Sequence, residues 1–159
     1  HAQGIGAVFH VQLGGKSDVP GESPFSEECV VERLGDGNLT GTGPFYGGCR
    51  MELGPMALLR FGRVRVVVAS RKQQAADRAL FHHLGVKPEE EKILVLKSSV
   101  HFRADFSKMA SEILMVEAPG YNTADPAKLR FRHLRSGLRV APMGRPFRAQ
   151  RQSGCKPEN

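Results

Sequence analysis

Apolar and polar positions alternate through Ala7-Val8-Phe9-His10-Val11-Gln12-Leu13, which predicts a strand running into a turn at Gly14-Gly15. A second strand is expected around Cys29-Val30-Val31-Glu32-Arg33-Leu34, closed by the turn-forming Gly35-Asp36-Gly37-Asn38. Gly41-Thr42-Gly43-Pro44-Phe45-Tyr46-Gly47-Gly48 holds too much glycine for a regular element and suits a loop whose backbone packs closely. The strongest β signal follows. Met56–Phe61 and Val64–Ala69 flank Gly62-Arg63, a two-residue break of the hairpin kind, with Val64, Val66 and Val68 on one face.

The period then changes. Residues 75–84 favour a short helix stopped by Gly85 and Pro88. Ile93-Leu94-Val95-Leu96 is a continuous apolar run, the pattern of a strand covered on both faces. Phe102, Phe106, Met109 and Ile113, spaced by four, three and four, mark a helical stripe. Past Ala118-Pro119-Gly120 and Asp125-Pro126 regularity fades. Strands cluster before helices, so the expected fold class is α+β: a mixed β-sheet with a β-hairpin and two or three packed helices. A small α/β unit is the alternative. Residues 1–140 are expected to form the domain and 141–159 an Arg-rich, disordered tail.

Charge changes the picture by its location. The chain of 159 residues carries a formal +7, yet residues before Arg130 balance 15 cations against 15 carboxylates. From Arg130 onward there are seven Arg and one Lys against one Glu, so the whole excess lies in residues 130–159. A neutral body with a basic extension is not a basic nucleic-acid-binding face, and specific nucleic-acid binding is not expected. No apolar run reaches the length of a membrane-spanning helix, so no membrane partner is expected. Cys29, Cys49 and Cys155 are scattered and odd in number, which predicts reduced, structural thiols in a cytoplasmic protein.

Candidate chemistry gathers at Lys97-Ser98-Ser99-Val100-His101-Phe102-Arg103, where the expected buried strand would feed an amphipathic helix. Unpaired backbone N–H groups collect at such a junction, and Ser98 or Ser99 suits the N-cap. Lys97, His101 and Arg103 add donors, so an anion or peptide carboxylate would be favoured there. The plainer reading is a capping serine and a histidine satisfying a local carbonyl. Arg71, just past the hairpin, could pair with a carboxylate on a neighbouring domain. His82 and His83 are adjacent, hence about 100° apart on a helix, and cannot share one ion; one packs and the other meets solvent. There is no HExxH, GxSxG or Walker-type loop, and no complete metal site is visible in the sequence.

Taken in order, several stretches resemble the carboxy-terminal domain of the microcystinase C family over about residues 5–135. They are Gly14-Gly15-Lys16 with Asp18, residues 43–48, Leu53-Gly54-Pro55, Val66–Arg71, Phe81–Val86, Lys97–Ala104 and Ala118-Pro119-Gly120. The Lys97–Ala104 segment is the specific one. The resemblance implies one domain of a two-domain metallopeptidase, a zinc-dependent hydrolase of linear peptides released from cyclic ones. It places the zinc ligands in an amino-terminal domain that would be this chain's partner, leaving the isolated chain inactive. It also gives the 98–103 turn a role: lining the interdomain cleft, with His101 catalytic and Ser98, Ser99, Arg103 and Arg71 binding peptide or stabilising the oxyanion. After Arg139 the chain departs from the family pattern. The competing class is a non-catalytic module that captures an anion or carboxylate. A third reading is polyanion binding through the tail, with the steep salt dependence of counterion release.

Overall fold

In a computed structural model, residues 4–16, 21–118, 125–129 and 131–148 are described. The chain divides into two compact units, residues 1–14 with 24–115, and residues 15–23 with 116–159. Among the described residues, the first holds every strand. β1 (Val8–Leu13), β2 (Phe25–Gly35), β5 (Met56–Phe61) and β6 (Val64–Ala69) form one four-stranded sheet in the order β1-β2-β5-β6. β3 (Asn38–Thr40) and β4 (Arg50–Glu52) form a separate two-stranded ribbon. All these pairings are antiparallel, which corrects the expectation of a mixed sheet. The segment 93–96, expected as a strand covered on both faces, forms none.

The hairpin forms with the anticipated ends and turn, Phe61 opposite Val64 and Met56 opposite Ala69. Gly62 supplies the positive φ, +56°, that a tight reversal between right-twisted strands requires. Because successive side chains point to opposite faces, the sheet has two apolar sides. Met56 and Leu58 pack with Leu53, Leu80, Leu84 and Val86, and Val67 joins them. On the other side Cys29, Val31 and Leu59 are buried among Phe9, Val11, Phe61 and Val68. The register shifts between Val31 and Arg33, so Glu32 is the extra residue of a bulge and reaches Arg60 at 2.7 Å.

Helices are few and short, so α+β holds with less helix than expected. α1 (Ala79–His82) and α2 (Arg103–Phe106) have four residues each, alongside 3-10 turns at Pro88–Glu90 and Pro126–Lys128. α1 starts late, the Asp77 carboxylate taking the Ala79 N–H at 2.8 Å, and the turn after it closes at Gly85, φ +71°. α2 is far shorter than the stripe implied. Phe102 and Phe106 are buried as foreseen, but Met109 and Ile113 are only half-buried. The sharpest correction concerns Ile93–Leu96. Leu94 and Leu96 are half-buried, whereas Ile93 and Val95 are 84% and 87% exposed.

In the second unit, Asp125 accepts from the Ala127 N–H at 3.0 Å. Residues 137 and 138 exchange backbone bonds with Phe147, at 2.9 and 2.7 Å. The anticipated Arg-rich tail continues past residue 148, where it lies outside the described residues, as do Cys155, Asp18 and the turn at Pro119-Gly120. Among the described residues no helix is long and apolar enough to cross a membrane.

Candidate functional site

Two buried carboxylates build the site, and neither had a signal in the sequence. Asp77 is fully buried, and its oxygens accept from the Gly43 N–H at 2.8 Å, the Ala79 N–H at 2.8 Å and the Thr42 hydroxyl at 3.4 Å. Three donors around one carboxylate supply the compensation that burial of a charge demands. Asp105, on α2, accepts from the Arg78 backbone N–H at 2.8 Å and from Arg78 Nε at 3.0 Å. The glycine loop at 42–46, the segment 74–79 and the segment 101–106 are thereby knitted together. Gly43 has to be glycine, since a Cβ there would lie 2.6 Å from Asp105 Oδ2. This is the close backbone packing that the glycine content of residues 41–48 implied.

His101 sits where those segments meet. Its Nδ1 lies 2.8 Å from Gln74 Oε1, and its ring stacks on Phe45 with centroids 4.2 Å apart and planes 19° apart. The residue is exposed, and Nε2 has no hydrogen-bond partner among the described residues. Thr42, Gly43, Pro44, Arg78, Asp105 and Lys108 line an open cleft of about 390 Å³.

The other expected residues fare differently. Neither serine caps the helix: Phe102 holds the N-cap position of α2, with no side-chain cap. The strand that would have delivered Ser98 or Ser99 to a helix start is not formed, so the donor-rich junction expected from the sequence is absent. Ser98 Oγ is buried without a partner, and Ser99 is exposed. Arg103 is exposed and lays its guanidinium over the Phe102 ring, 5.3 Å from the centroid. Arg71 is engaged elsewhere, 3.3 Å from the Glu52 carbonyl oxygen and 3.4 Å from its carboxylate. His101 is thus held against Gln74 and Phe45, whereas Arg103 lies over Phe102 and Arg71 pairs with Glu52 of the β3–β4 ribbon.

His83 and His82 divide as their spacing required. His83 Nε2 accepts from the Gly37 N–H at 3.1 Å and lies 3.2 Å from Asp36, a structural role. His82 is exposed and faces Glu89 at 3.6 Å. The Asn38 backbone N–H and side-chain amide hold the Asp36 carboxyl below its usual range, with a smaller contribution from His83. Among the described residues no group of three or more His, Cys, Asp or Glu is placed to hold a metal ion.

Comparison with known proteins places this arrangement. The family model described as MlrC C-terminus matches residues 1–133. Microcystinase C of Sphingomonas sp is 25% identical over 133 residues, which cover 84% of this chain and 24% of that protein. The chain thus spans about a quarter of the length of the curated relative it matches. A solved structure of a candidate metallopeptidase from Mesorhizobium sp. BNC1 superposes with a TM-score of 0.61 at 23% identity. It covers 69% of this chain and 22% of the other, and at that identity it speaks for the fold alone. With the match running unbroken through the strands, the glycine loop and the His101 segment, the chain belongs to the MlrC C-terminus family.

Proposed function

We propose that this chain is the carboxy-terminal domain of a zinc-dependent, cytoplasmic peptidase acting on linear peptides. In this reading residues 1–140 are the domain, 141–159 an Arg-rich appendage, and the His101 edge faces a cleft shared with an amino-terminal, metal-binding domain. The carrying observation is His101 itself: an exposed imidazole, fixed by Gln74 and Phe45, whose Nε2 has no partner among the described residues. A side chain ordered at two points yet exposed is what a reacting or substrate-contacting group needs. Ser99 and Arg103 flank it as peptide-binding groups. Ser98 would have to expose its buried hydroxyl, and Arg71 to release Glu52, to contribute.

The described residues do not themselves fit a metal. Zinc, which when bound would polarise the scissile carbonyl, would be held by residues of the amino-terminal domain. This chain would supply groups for the peptide, not ligands for the ion. Its outward residues Ile93 and Val95 also suit cover by the larger polypeptide, since the matched residues make up only 24% of the relative.

The test has two arms. The purified chain alone should retain no stoichiometric zinc after dialysis, and tight retention would overturn the placement of the ligands. Fused behind the amino-terminal part of Microcystinase C, the chain should support hydrolysis of a linear peptide. His101→Ala should then lower kcat by about 100-fold or more, in the range of lost acid–base help. Unchanged kcat and KM would remove His101 from the site. A second reading, capture of a carboxylate without chemistry, is favoured by Arg78 and Lys108 on the cleft wall. It requires thermal stabilisation by phosphate or small carboxylates and no hydrolysis by the fused protein.

A further inference from the structure

A neutral imidazole carries one N–H, and which nitrogen bears it decides what the ring can do. His101 Nδ1 faces Gln74 Oε1 at 2.8 Å. A carboxamide oxygen only accepts, so the proton of that bond belongs to Nδ1 and the lone pair to Nε2. We infer that Gln74 is a positioning residue that fixes His101 as the Nδ1–H tautomer, with Phe45 fixing the plane of the ring. This rests on the proposed role of His101 and sharpens it.

The two grips share one anchor. Gln74 precedes Asp77 by three residues, and its carbonyl accepts from the Ala76 N–H at 2.9 Å, so its backbone is tied into the turn that leads to Asp77. Phe45 follows Gly43 by two residues, and the Gly43 N–H is held by the same Asp77 carboxylate. Asp105, four residues after His101, is bound to Arg78, next to Asp77. The amide acceptor, the stacking ring and the imidazole are therefore all referenced to residues 77–78.

The tautomer selects among roles. With its lone pair on Nε2, the neutral ring accepts a hydrogen bond from a substrate N–H, or takes a proton there and becomes imidazolium. It cannot donate from Nε2 to an oxyanion unless it is first protonated. Of the two contributions open to this edge, acceptance from the peptide is the one the neutral ring performs.

The experiment uses long-range proton–nitrogen correlation spectra of the histidine rings in the uniformly 15N-labelled 159-residue chain, at a pH where His101 is neutral. The His101→Ala spectrum assigns the signals. The expected result is an Nδ1 shift in the protonated range and an Nε2 shift in the unprotonated range. Gln74→Leu should move Nε2 toward the protonated range while backbone amide spectra stay in place, and Gln74→Glu, which retains an acceptor, should keep the wild-type pattern. A wild-type ring protonated at Nε2 overturns the inference even if Gln74→Leu fails to fold. A folded Gln74→Leu with an unchanged tautomer overturns it too. Turnover plays no part in this readout. An inert His101→Ala substitution in the fused enzyme would sink the catalytic reading and leave the tautomer assignment standing, and the reverse also holds.

Discussion

Asp77 shows how much of this site depends on single atoms. It accepts three hydrogen bonds with no exposure of its own, so replacing one carboxylate oxygen by an amide turns an acceptor into a donor facing an N–H. Asp77→Asn should cost about 1–3 kcal/mol, the range for leaving a buried donor unmet, read as a lower denaturant midpoint with unchanged slope. Cys29 gives a prediction in pH. Burial, with a smaller push from Glu28, raises its thiol above the ordinary range. A group raised in the folded state contributes stability fully below its unfolded value and loses it as pH rises toward the folded one. Stability should therefore decline above about pH 8.5, where unfolded thiols ionise, and Cys29→Ala should flatten that slope. In the folded chain a thiol reagent should label exposed Cys49 well before Cys29, as peptide mass spectra would show.

Elements were legible where periodicity and turn chemistry agreed. The 56–69 hairpin combines alternation, β-branched residues and a Gly-containing two-residue break, and it forms with the expected register. The three-residue strands β3 and β4 escaped because a pattern of period two cannot be recognised over so few positions. Ile93–Leu96 misled for a different reason. A continuous apolar run reads the same whether its second face is covered by this chain, by other protein, or by nothing. The site divided along the same line. His101 and Arg103 were visible as residue types in a cluster, whereas Gln74, Phe45, Asp77 and Asp105 matter through contacts across 27 to 56 residues of sequence. The contrast is measurable. Leu58→Ala, in the packed face of β5, should cost about 2–5 kcal/mol, while Val95→Lys should stay within about 0.5 kcal/mol in a chemical melt.

At the scale of the molecule, the sheet strands pair in an unbroken series, yet none of the backbone bonds among the described residues involves positions 93–97. The basic excess from Arg130 onward adds like-charge repulsion between copies, strongest at low ionic strength. These two features pull against each other in solution. Sulfate both screens the cations and strengthens burial of the bare isoleucine and valine, so salting-out should set in early for a protein of this size. Lysine at position 95 should delay the onset of turbidity, making a precipitation curve a practical gauge of how adhesive that uncovered margin is.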